Sequence, residues 1–371
     1  MTAVLFTPLD IGPVQAPNRI AIAPMCQYSA NDGCASDWHL QLVMNYGMSG
    51  AGTVILEATG VTREGRISHG CLGLYSDANE LALKRVLDAA RAVALPGTKF
   101  GIQIGHAGRK ASTHVNWKGS GPLGPKDNPW RTISASALPY ADNWHVPAAM
   151  DEDEIAETIA AFAEAAKRAA RIGFDIVEIH AAHGYLVHEF HSPVSNKRTD
   201  KWGGSPENRL RFPLAVADAV RAVLPDHMAL GARITGTDYL DNALTVEDAV
   251  VFAKELKARR FDYVCVSSGN IILGGRPASG VAFNVPNAAK VRAESGIVVR
   301  TAGLIAEAHQ AEEIVASRGV DQIAIARAQL DDPRWGWHAA EKLGVKLDLP
   351  PQFRRVTTGQ WPGLKLVRPQ A

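Results

Sequence analysis

The sequence predicts an α/β fold, a (β/α)8 TIM barrel that forms a single domain over residues 1–371. Eight β-like segments can be counted along the chain, and most of them are followed by a helical pattern. Strands that alternate with helices pair in parallel, and a chain of 371 residues has room for eight such units. An open doubly wound sheet is the competing fold, but no GxGxxG motif follows the first strand, which disfavours it.

The predicted strands are short apolar runs rich in β-branched residues. In chain order they are Arg19–Ala23, Thr53–Glu57, Phe100–Ile104, Phe174–Ile179, Ala229–Ile234, Tyr263–Val266, Ile297–Arg300 and Gln322–Ala326. Apolar residues spaced three and four apart predict helices between them. Examples are Glu80–Val93, Asp151–Arg171, Pro206–Val223, Val246–Arg260, Ala306–Arg318 and Trp335–Leu343. Asp151 and Asp153 are start signals for the long second helix of this set, and Gly173 is its stop signal.

Two segments fall outside this repeat. Residues 106–150 follow the third predicted strand and are rich in Gly, Pro and Trp. A loop of this length in a compact domain usually has a function or lacks fixed structure, and its position predicts that it caps the mouth of the barrel. The C-terminal tail, residues 350–371, is basic and carries aromatic side chains. This tail either lacks fixed structure or docks on another surface.

Composition and charge exclude several classes of protein. The formal net charge of +1 provides no basic surface for nucleic acid or for an anionic membrane. No apolar run reaches membrane-spanning length, and the N-terminus lacks the pattern of a signal peptide. The cysteines Cys26, Cys34, Cys71 and Cys265 are scattered and form no CxxC pair, so no disulfide framework is indicated. These features predict a soluble protein of the reducing cytoplasm.

Barrel active sites are built where the strands end, so the residues after each strand are candidates for function. The fourth strand runs into His180, His183 and Tyr185. Two hydrogen-bond donors and a phenol can bind a carbonyl group and move a proton. The other strand ends supply Pro24, Met25, Cys26 and Tyr28; Glu57, Ala58 and Thr59; Gln103, His106 and Lys110; Arg233; Ser267, Ser268 and Gly269; Thr301, Ala302 and Gly303; and Arg327.

Several of these residues indicate a cofactor. Gly303 and Arg327 follow strands seven and eight, where barrels commonly bind phosphate, so a phosphate-bearing cofactor is expected. Gln103 can present a donor and an acceptor to a planar heterocycle, and Arg233 inside a barrel calls for an anionic partner. Cys26 is open to two interpretations, a small buried hydrophobic residue or a functional thiol.

The histidines leave a second kind of site open. His180, His183, His188 and His191 form an HxxH…HxxH pattern, and pairs at this spacing can share a face and hold a metal. A functional role is the preferred interpretation for the first two, because they end a strand. For His188 and His191 a surface or hydrogen-bonded structural role is preferred. A metal-dependent barrel hydrolase or lyase is therefore the alternative function.

Four motifs give the chain a resemblance to a known family. They are PMCQY at Pro24–Tyr28, GIQIGHAGRK at Gly101–Lys110, HAAHGY at His180–Tyr185, and HSPVSNKRTDKWGGSPENRLRF at His191–Phe212. With these motifs the chain resembles the old yellow enzyme family of FMN-dependent ene-reductases over nearly its full length. The match is strongest to the branch of thermophilic-like enzymes and xenobiotic reductases. The last two motifs together are highly specific.

The resemblance implies a reaction and a cofactor. An FMN-containing barrel would take hydride from NADPH or NADH in a ping-pong cycle. It would then reduce the C=C bond of α,β-unsaturated carbonyl or nitro compounds. His180 and His183 would hold the substrate oxygen and stabilise the charge that develops on it, while Tyr185 would protonate the α-carbon. The expected partners are thus small activated alkenes, with no nucleic acid and no membrane.

The resemblance also assigns binding residues. Substrate contacts are implied for Tyr28, Cys26, Lys110 and Arg355, beside the two histidines. Cofactor contacts are implied for Ala23, Pro24, Met25, Cys26, Ala58, Gln103, Arg233, Gly303, Ala326 and Arg327. In that set Cys26 would tune the reduction potential of the flavin. Arg233 would lie near the pyrimidine end of the flavin, where positive charge favours the anionic reduced form. No metal ligand is predicted.

The C-terminal tail contains PQFRR, which resembles a segment that enters the neighbouring subunit's site in this branch. Arg355 is then the candidate finger and Phe353 its aromatic neighbour, and a plain basic tail is the alternative. A homodimer or higher homo-oligomer is expected on this basis. The chain departs from the family pattern at His191, Trp202, Ala302 and Ala326. None of these departures removes a residue with an implied catalytic role.

Overall fold

Eight parallel strands close into a barrel in the computed structural model, which describes residues 3–274, 280–357 and 359–368. The strands are β1 (Ile20–Ile22), β2 (Thr53–Gly60), β3 (Lys99–Gly105), β4 (Ile176–Ala181), β5 (Ala229–Thr235), β6 (Tyr263–Ser267), β7 (Val298–Thr301) and β8 (Gln322–Ile325). Each strand pairs with the next along the chain, and β8 pairs with β1. The predicted TIM barrel is confirmed, and every predicted strand overlaps an observed one.

Helices surround the barrel. They are α1 (Asp37–Gly47), α2 (Asp77–Val93), α3 (Glu152–Ile172), α4 (Leu186–His191), α5 (Pro206–Val223), α6 (Val246–Ala258), α7 (Val285–Ser295), α8 (Ala308–Ser317), α9 (Arg327–Asp331), α10 (Trp335–Lys342) and α11 (Leu364–Val367). The signals predicted for α3 are observed: the Asp151 side chain accepts from the Glu154 N–H, and Gly173 ends the helix with a φ of +98°. Among the described residues, no helix is both long and apolar enough to cross a bilayer.

An antiparallel hairpin closes the end of the barrel where the strands begin. Its strands, Leu9–Ile11 and Val14–Ala16, pack their apolar side chains against Ile55, Ile176 and Tyr263 on the barrel strands. This contact buries the apolar lower end of the barrel and leaves the carboxyl ends of the strands free for a site.

A polar layer crosses the middle of the barrel. Glu178 on β4 accepts hydrogen bonds from Gln103 Nε2 at 2.7 Å and from Tyr263 OH at 2.8 Å, and Arg300 NH1 lies 3.3 Å from the same carboxylate. Arg300 Nε in turn donates to Gln322 Oε1 at 2.7 Å. The Tyr263 ring fits because β5 has glycine beside it: a Cβ at Gly231 would lie 2.1 Å from a ring carbon. Strands on opposite sides of the barrel are therefore joined by charge-assisted bonds.

The loop over residues 106–150 has local structure. It contains 3-10 turns at Gly108–Lys110, Asn116–Lys118 and Pro125–Asp127, and two short parallel strands at Ile133–Ser134 and Ala148–Ala149. Several hydrogen bonds tie it to the loops that follow β2 and β6. Trp130 Nε1 donates to the Glu64 carbonyl at 2.8 Å, and Arg109 NH2 donates to the Ile271 carbonyl at 2.6 Å.

The described part of the C-terminal tail docks on α10. Its 3-10 turn, Pro351–Val356, places the Phe353 ring edge-on to Trp337 with centroids 5.2 Å apart. The Arg334 guanidinium lies 4.5 Å from the centroid of the same Phe353 ring. The tail is therefore held by aromatic and cation–π contacts, while Arg355 within it is exposed.

Candidate active site

The turn after β4 gathers the three residues predicted to be catalytic. The His180 ring lies edge-on to both His183 and Tyr185, with centroid distances of 5.1 and 4.8 Å. His183 and Gly184 both have positive φ angles, +60° and +72°, which turn the chain sharply between β4 and α4. This turn brings side chains from positions 180, 183 and 185 to one place.

Both histidines are neutral at physiological pH. Burial lowers the pKa of His180 and His183 well below the usual value, and the nearby Arg233 charge lowers them further. The His180 Nδ1 atom accepts from the Ala182 N–H at 3.3 Å, so its proton is on Nε2. His183 Nε2 lies 2.6 Å from Ser267 Oγ at the end of β6. Neutral rings keep an N–H that can bind an oxygen atom.

Tyr185 and Lys110 complete this side of the site. Burial raises the pKa of the Tyr185 phenol well above 10, so the phenol carries its proton at neutral pH. Lys110 Nζ lies 5.1 Å from the centroid of the Tyr185 ring and donates to the His183 carbonyl at 2.8 Å. Burial lowers the pKa of Lys110 to about 7. The turn thus presents a proton donor beside a lysine whose charge depends on pH.

The segment after β1 carries Cys26 and Tyr28. It is tied to β2 by the Gln27 N–H, which donates to the buried carboxylate of Glu57 at 3.0 Å. Tyr28 has a φ of +51°, and its ring meets Trp117 of the 106–150 loop edge-on at 5.9 Å. A hydrogen bond with Cys71, together with burial, raises the pKa of Cys26 well above its usual range. Cys26 is therefore a thiol, not a thiolate nucleophile.

Two polar side chains inside the barrel mouth fit a heterocyclic cofactor. Because Gln103 Nε2 donates to Glu178, its amide oxygen is left to accept a hydrogen bond from a ligand. Arg233 pairs in register with His180, and its NH2 atom reaches Ser267 Oγ at 3.3 Å. Its buried Nε has no hydrogen-bond partner among the described residues. An unpaired buried guanidinium nitrogen fits an anionic ring system.

The ends of β1, β7 and β8 form a surface of small residues. The buried alanines there, Ala21, Ala23 and Ala324, pack with Ala302 and Ala326. Small side chains leave space above these strand ends. Pro24 and Met25 follow β1 and are partly buried, and Ala58 lies within β2.

The predicted phosphate residues lie beside this surface. Gly303 has a φ of +138°, and a Cβ there would lie 2.9 Å from the Phe283 ring. The Ala302 carbonyl beside it accepts from Asn284 Nδ2 at 2.7 Å. Ala326 caps α9, and the Arg327 side chain is exposed. Small residues, a glycine turn and an exposed arginine together suit the phosphate of FMN.

Sequence reasoning predicted the strand-end residues but missed the groups that support them. His188 is not on the surface; it is buried and its Nδ1 accepts the Gly184 N–H at 2.8 Å, so the hydrogen-bonded structural interpretation is the correct one. His191 is also buried and packs on Phe252, and burial lowers its pKa to about 3. Within the described residues, no group of three or more His, Cys, Asp or Glu side chains is placed to hold a metal ion. Glu57 was predicted only as a residue at the end of a strand, and its hydrogen bond from the Gln27 N–H was not foreseen.

Arg355 stands apart from the other predicted site residues. It is exposed on the tail that packs against α10, whereas the rest lie at the carboxyl ends of the barrel strands.

The motif His191–Phe212 also stabilises the local structure of its own segment. Asn196 Nδ2 donates to the Phe190 and Trp202 carbonyls at 2.7 and 2.8 Å, which fixes the fold of this segment.

Comparisons with known proteins identify the family of this chain. The NADH:flavin oxidoreductase / NADH oxidase family model matches residues 4–345. The chain is 38% identical over 357 residues to an NADPH dehydrogenase of Geobacillus thermodenitrificans (strain NG80-2), covering 96% of this chain and 99% of that one. It is 39% identical over 356 residues to an NADPH dehydrogenase of Bacillus licheniformis, covering 95% and 98%.

Solved structures show the same architecture. Morphinone reductase in complex with tetrahydroNAD has a TM-score of 0.74 and 28% identity, covering 94% of this chain and 93% of that chain. A 2-naphthoyl-CoA reductase has a TM-score of 0.81 and 25% identity, covering 92% of this chain and 53% of that chain. The chain belongs to the NADH:flavin oxidoreductase / NADH oxidase family and is an oxidoreductase of the old yellow enzyme type that uses FMN and NAD(P)H.

Proposed function

We propose that the protein is an NAD(P)H-dependent ene-reductase that acts on α,β-unsaturated carbonyl or nitro compounds. The observation that carries this proposal is the grouping of two neutral histidines with a protonated phenol in one turn after β4. A pair of N–H donors and one O–H donor is the set needed to hold an oxygen atom and to deliver a proton to a nearby carbon.

His180 and His183 bind the substrate oxygen. Each neutral ring offers one N–H, and two such donors stabilise the negative charge that develops on the oxygen as the double bond is reduced. Their low pKa values keep the rings uncharged, so they bind the oxygen without giving up a proton to it. The buried setting strengthens both interactions, because few water molecules compete for the oxygen.

Tyr185 delivers a proton to the α-carbon. Its phenol stays protonated at neutral pH, and its ring contacts His180, so the hydroxyl is carried on the same turn as the oxygen-binding groups. Tyr28, Cys26 and Lys110 complete the walls of the substrate pocket. Arg355, exposed on the tail, is a candidate to reach the site of a second copy in a homodimer or larger homo-oligomer.

The strand ends would hold FMN. Gln103 would accept a hydrogen bond from the ring, and the Ala58 backbone would contact it. Arg233 would balance negative charge on the ring, and Ala23, Pro24 and Met25 would line the site near Cys26. Gly303, Ala326 and Arg327 would hold the phosphate. Bound FMN, reduced by NADPH or NADH, supplies the hydride that goes to the β-carbon of the alkene. These residues orient and shield the cofactor, and they perform no bond chemistry of their own.

A visible spectrum tests this function. The purified protein should show flavin absorbance that bleaches on anaerobic addition of NADPH or NADH and returns when 2-cyclohexen-1-one is added. Absorbance that bleaches but does not return with any activated alkene would contradict the ene-reductase function while leaving the flavin oxidoreductase intact.

The Tyr185→Phe variant tests the proton donor. It keeps the ring that contacts His180 and removes only the hydroxyl, so FMN should stay bound and reduction by NADPH should be unchanged. Reoxidation by 2-cyclohexen-1-one should slow by about 10²-fold or more, the usual contribution of a general acid. Reoxidation at the wild-type rate would show that another group or water supplies the proton.

A further inference from the structure

A buried His–Asp pair lies beneath the turn that carries His183 and Tyr185. His188, on the first turn of α4, is 1% exposed, and Asp238, on the loop after β5, is 0% exposed. The His188 Nδ1 atom accepts a hydrogen bond from the Gly184 N–H at 2.8 Å. Gly184 stands between the two residues that would touch the substrate. The pair therefore holds the backbone of the turn at its centre.

This turn needs an external anchor because its conformation is strained. His183 has a φ of +60°, a region that residues with a Cβ rarely adopt. Gly184 follows at +72°, and a Cβ there would lie 2.3 Å from the Asn270 carbonyl oxygen. On the other side Lys110 Nζ donates to the His183 carbonyl at 2.8 Å. The backbone conformation of this turn is not favoured by its own residues. The hydrogen bond from the Gly184 N–H to His188 therefore helps to hold the turn in place.

The bond to Gly184 also determines where the His188 proton lies. Because Nδ1 accepts, the ring carries its proton on Nε2. That nitrogen lies 3.1 Å from Asp238 Oδ1, and the two atoms form an ion-pair contact that does not meet the geometry of a hydrogen bond. The other carboxylate oxygen, Oδ2, accepts from Ser192 Oγ at 2.9 Å and from the Leu244 N–H at 3.2 Å. A carboxylate held in this place favours the Nε2–H tautomer.

Other groups around the ring agree with this arrangement. Thr235 Oγ1 lies 3.3 Å from His188 Nδ1, on the same side as the Gly184 N–H. Burial opposes the ionisation of Asp238, but the electrostatic interaction with His188 and the hydrogen bonds from Ser192 and Leu244 outweigh it and hold its pKa below the usual value. Asp238 is therefore an anion, and the proton between the two side chains stays on the imidazole.

We propose that Asp238 and His188 are positioning residues for the reaction, with Asp238 setting the His188 tautomer and His188 holding the turn that places His183 and Tyr185. This inference rests on the proposed function of those two residues. It also predicts that the pair has no part in binding FMN, because its contacts are with the turn after β4 and not with Gln103, Arg233 or the phosphate residues.

The Asp238→Asn variant tests the pair with almost no change in volume. The Asn oxygen remains bound to Ser192 and the Leu244 N–H, which turns the amide N–H₂ toward His188 Nε2. The imidazole proton then moves to Nδ1, where it faces the Gly184 N–H, donor against donor. We expect kcat/KM for 2-cyclohexen-1-one to fall by about 10- to 100-fold, the range found when a carboxylate that orients a metal-bound histidine is lost. The dissociation constant of FMN should stay unchanged.

A matched control and a direct readout accompany this variant. Ser192→Ala removes one donor to Asp238 without reversing the tautomer, so its kcat/KM should stay close to the wild-type value. Histidine ¹⁵N NMR should show His188 protonated on Nε2 in the wild type and on Nδ1 in D238N. A wild-type kcat/KM in D238N, or a tautomer that does not change, would overturn the proposal. If the wild-type protein does not reduce 2-cyclohexen-1-one at all, the proposed function is wrong. The NMR measurement of the His188 tautomer still tests the inference in that case.

If D238N loses its flavin, variants at His188 test whether this residue positions the turn. His188→Asn keeps an oxygen near the position of Nδ1, able to accept from Gly184, whereas His188→Leu removes the acceptor. We expect H188N to keep at least several times the kcat/KM of H188L at similar melting temperatures. Equal losses in the two variants would show that His188 acts only through packing.

Discussion

At the scale of single residues, burial decides which site groups carry charge. It lowers the pKa of His180 and His183 and raises that of Tyr185, so the turn after β4 is uncharged near pH 7. Lys110 is the exception, because burial brings its pKa down to about 7, into the working range. The protonation state of this one side chain should therefore control the pH dependence of the reaction.

Lys110 supplies a pH prediction with a definite sign. Its ammonium form is present below about pH 7 and is lost as the pH rises through that value. The ammonium lies 5.1 Å from the Tyr185 ring centroid, where positive charge stabilises the phenolate that forms as Tyr185 gives up its proton. We expect kcat/KM for 2-cyclohexen-1-one to fall as the pH rises through about 7. Lys110→Met should be slower below pH 7 and should lack this inflection.

Glu189 provides the control for this pH profile. Burial raises its pKa to about 7 as well, and its carboxylate accepts from the Arg109 N–H and Ser134 Oγ at 3.0 and 2.6 Å. Glu189→Gln should retain an inflection that Lys110→Met loses, moved to lower pH because the Glu189 charge raises the pKa of Lys110. If the loss occurs in E189Q and not in K110M, Glu189 is the titrating group and the assignment to Lys110 is wrong.

The residues that could be predicted from sequence are those whose position follows from local pattern. An apolar strand that runs into His180, His183 and Tyr185 marks a site without any knowledge of distant contacts. Ser267 was seen at a strand end, but its contact with His183 depends on barrel closure. Asp238 was not predicted at all, because its meeting with His188 joins positions 50 residues apart through the register of β4 and β5.

At the scale of elements, the 106–150 loop is held by a segment that lies elsewhere in the sequence. Arg198 NH1 donates to the Ala135 and Met150 carbonyls at 3.1 and 2.7 Å, and Lys197 N donates to Ser136 Oγ at 2.9 Å. Lys197 and Arg198 of the motif His191–Phe212 thus form a clamp, a set of hydrogen bonds that attaches the end of the loop to the barrel. The resemblance carried by this motif reflects architecture as well as chemistry.

Arg198→Met should loosen this clamp. The change removes two bonds to carbonyls on the loop side, and each is worth about 1 kcal/mol or more for a charged donor. We expect a lower melting temperature, faster limited proteolysis within residues 106–150, and a raised KM for 2-cyclohexen-1-one. Arg211→Met is the control, because within the described part of the chain Arg211 donates only to the Lys201 carbonyl and Asn208 Oδ1 of its own segment. Equal proteolysis of the two variants would contradict the clamp.

The two longest of the helices that are absent from the predicted set, α1 and α7, share a physical cause. The buried face of α1 consists of His39, Val43, Tyr46 and Gly47, and that of α7 consists of Val285, Ala288, Val291 and Ser295. Polar and small residues on a buried face weaken the apolar periodicity by which helices are recognised. Helices such as α3, with a continuous apolar stripe and clear end signals, were predicted to within one residue at each end.

At the scale of the whole molecule, the barrel was predictable because each strand–helix unit is local. What holds the units together was not visible in sequence. Glu178, Tyr263 and Arg300 come from β4, β6 and β7, and their side chains meet only when the barrel closes. Gln103 and Gln322 extend this layer to β3 and β8. Gln322 Nε2 also donates to Thr53 Oγ1 on β2 at 3.1 Å, so six of the eight strands share one buried hydrogen-bonded network.

This network predicts how stability depends on the buried ion pair. Arg300→Met leaves the Glu178 carboxylate in the barrel without its cation, and loss of one partner of such a pair costs about 3–5 kcal/mol. Glu178→Met leaves the buried guanidinium without its anion and should cost a similar amount. The double variant removes both charges, so its loss of unfolding free energy should be well below the sum of the two single losses. Denaturant unfolding of all four proteins at one saturating FMN concentration measures these differences. Additive losses would show that the two charges do not stabilise each other, and that the layer is held by Tyr263 and the two glutamines instead.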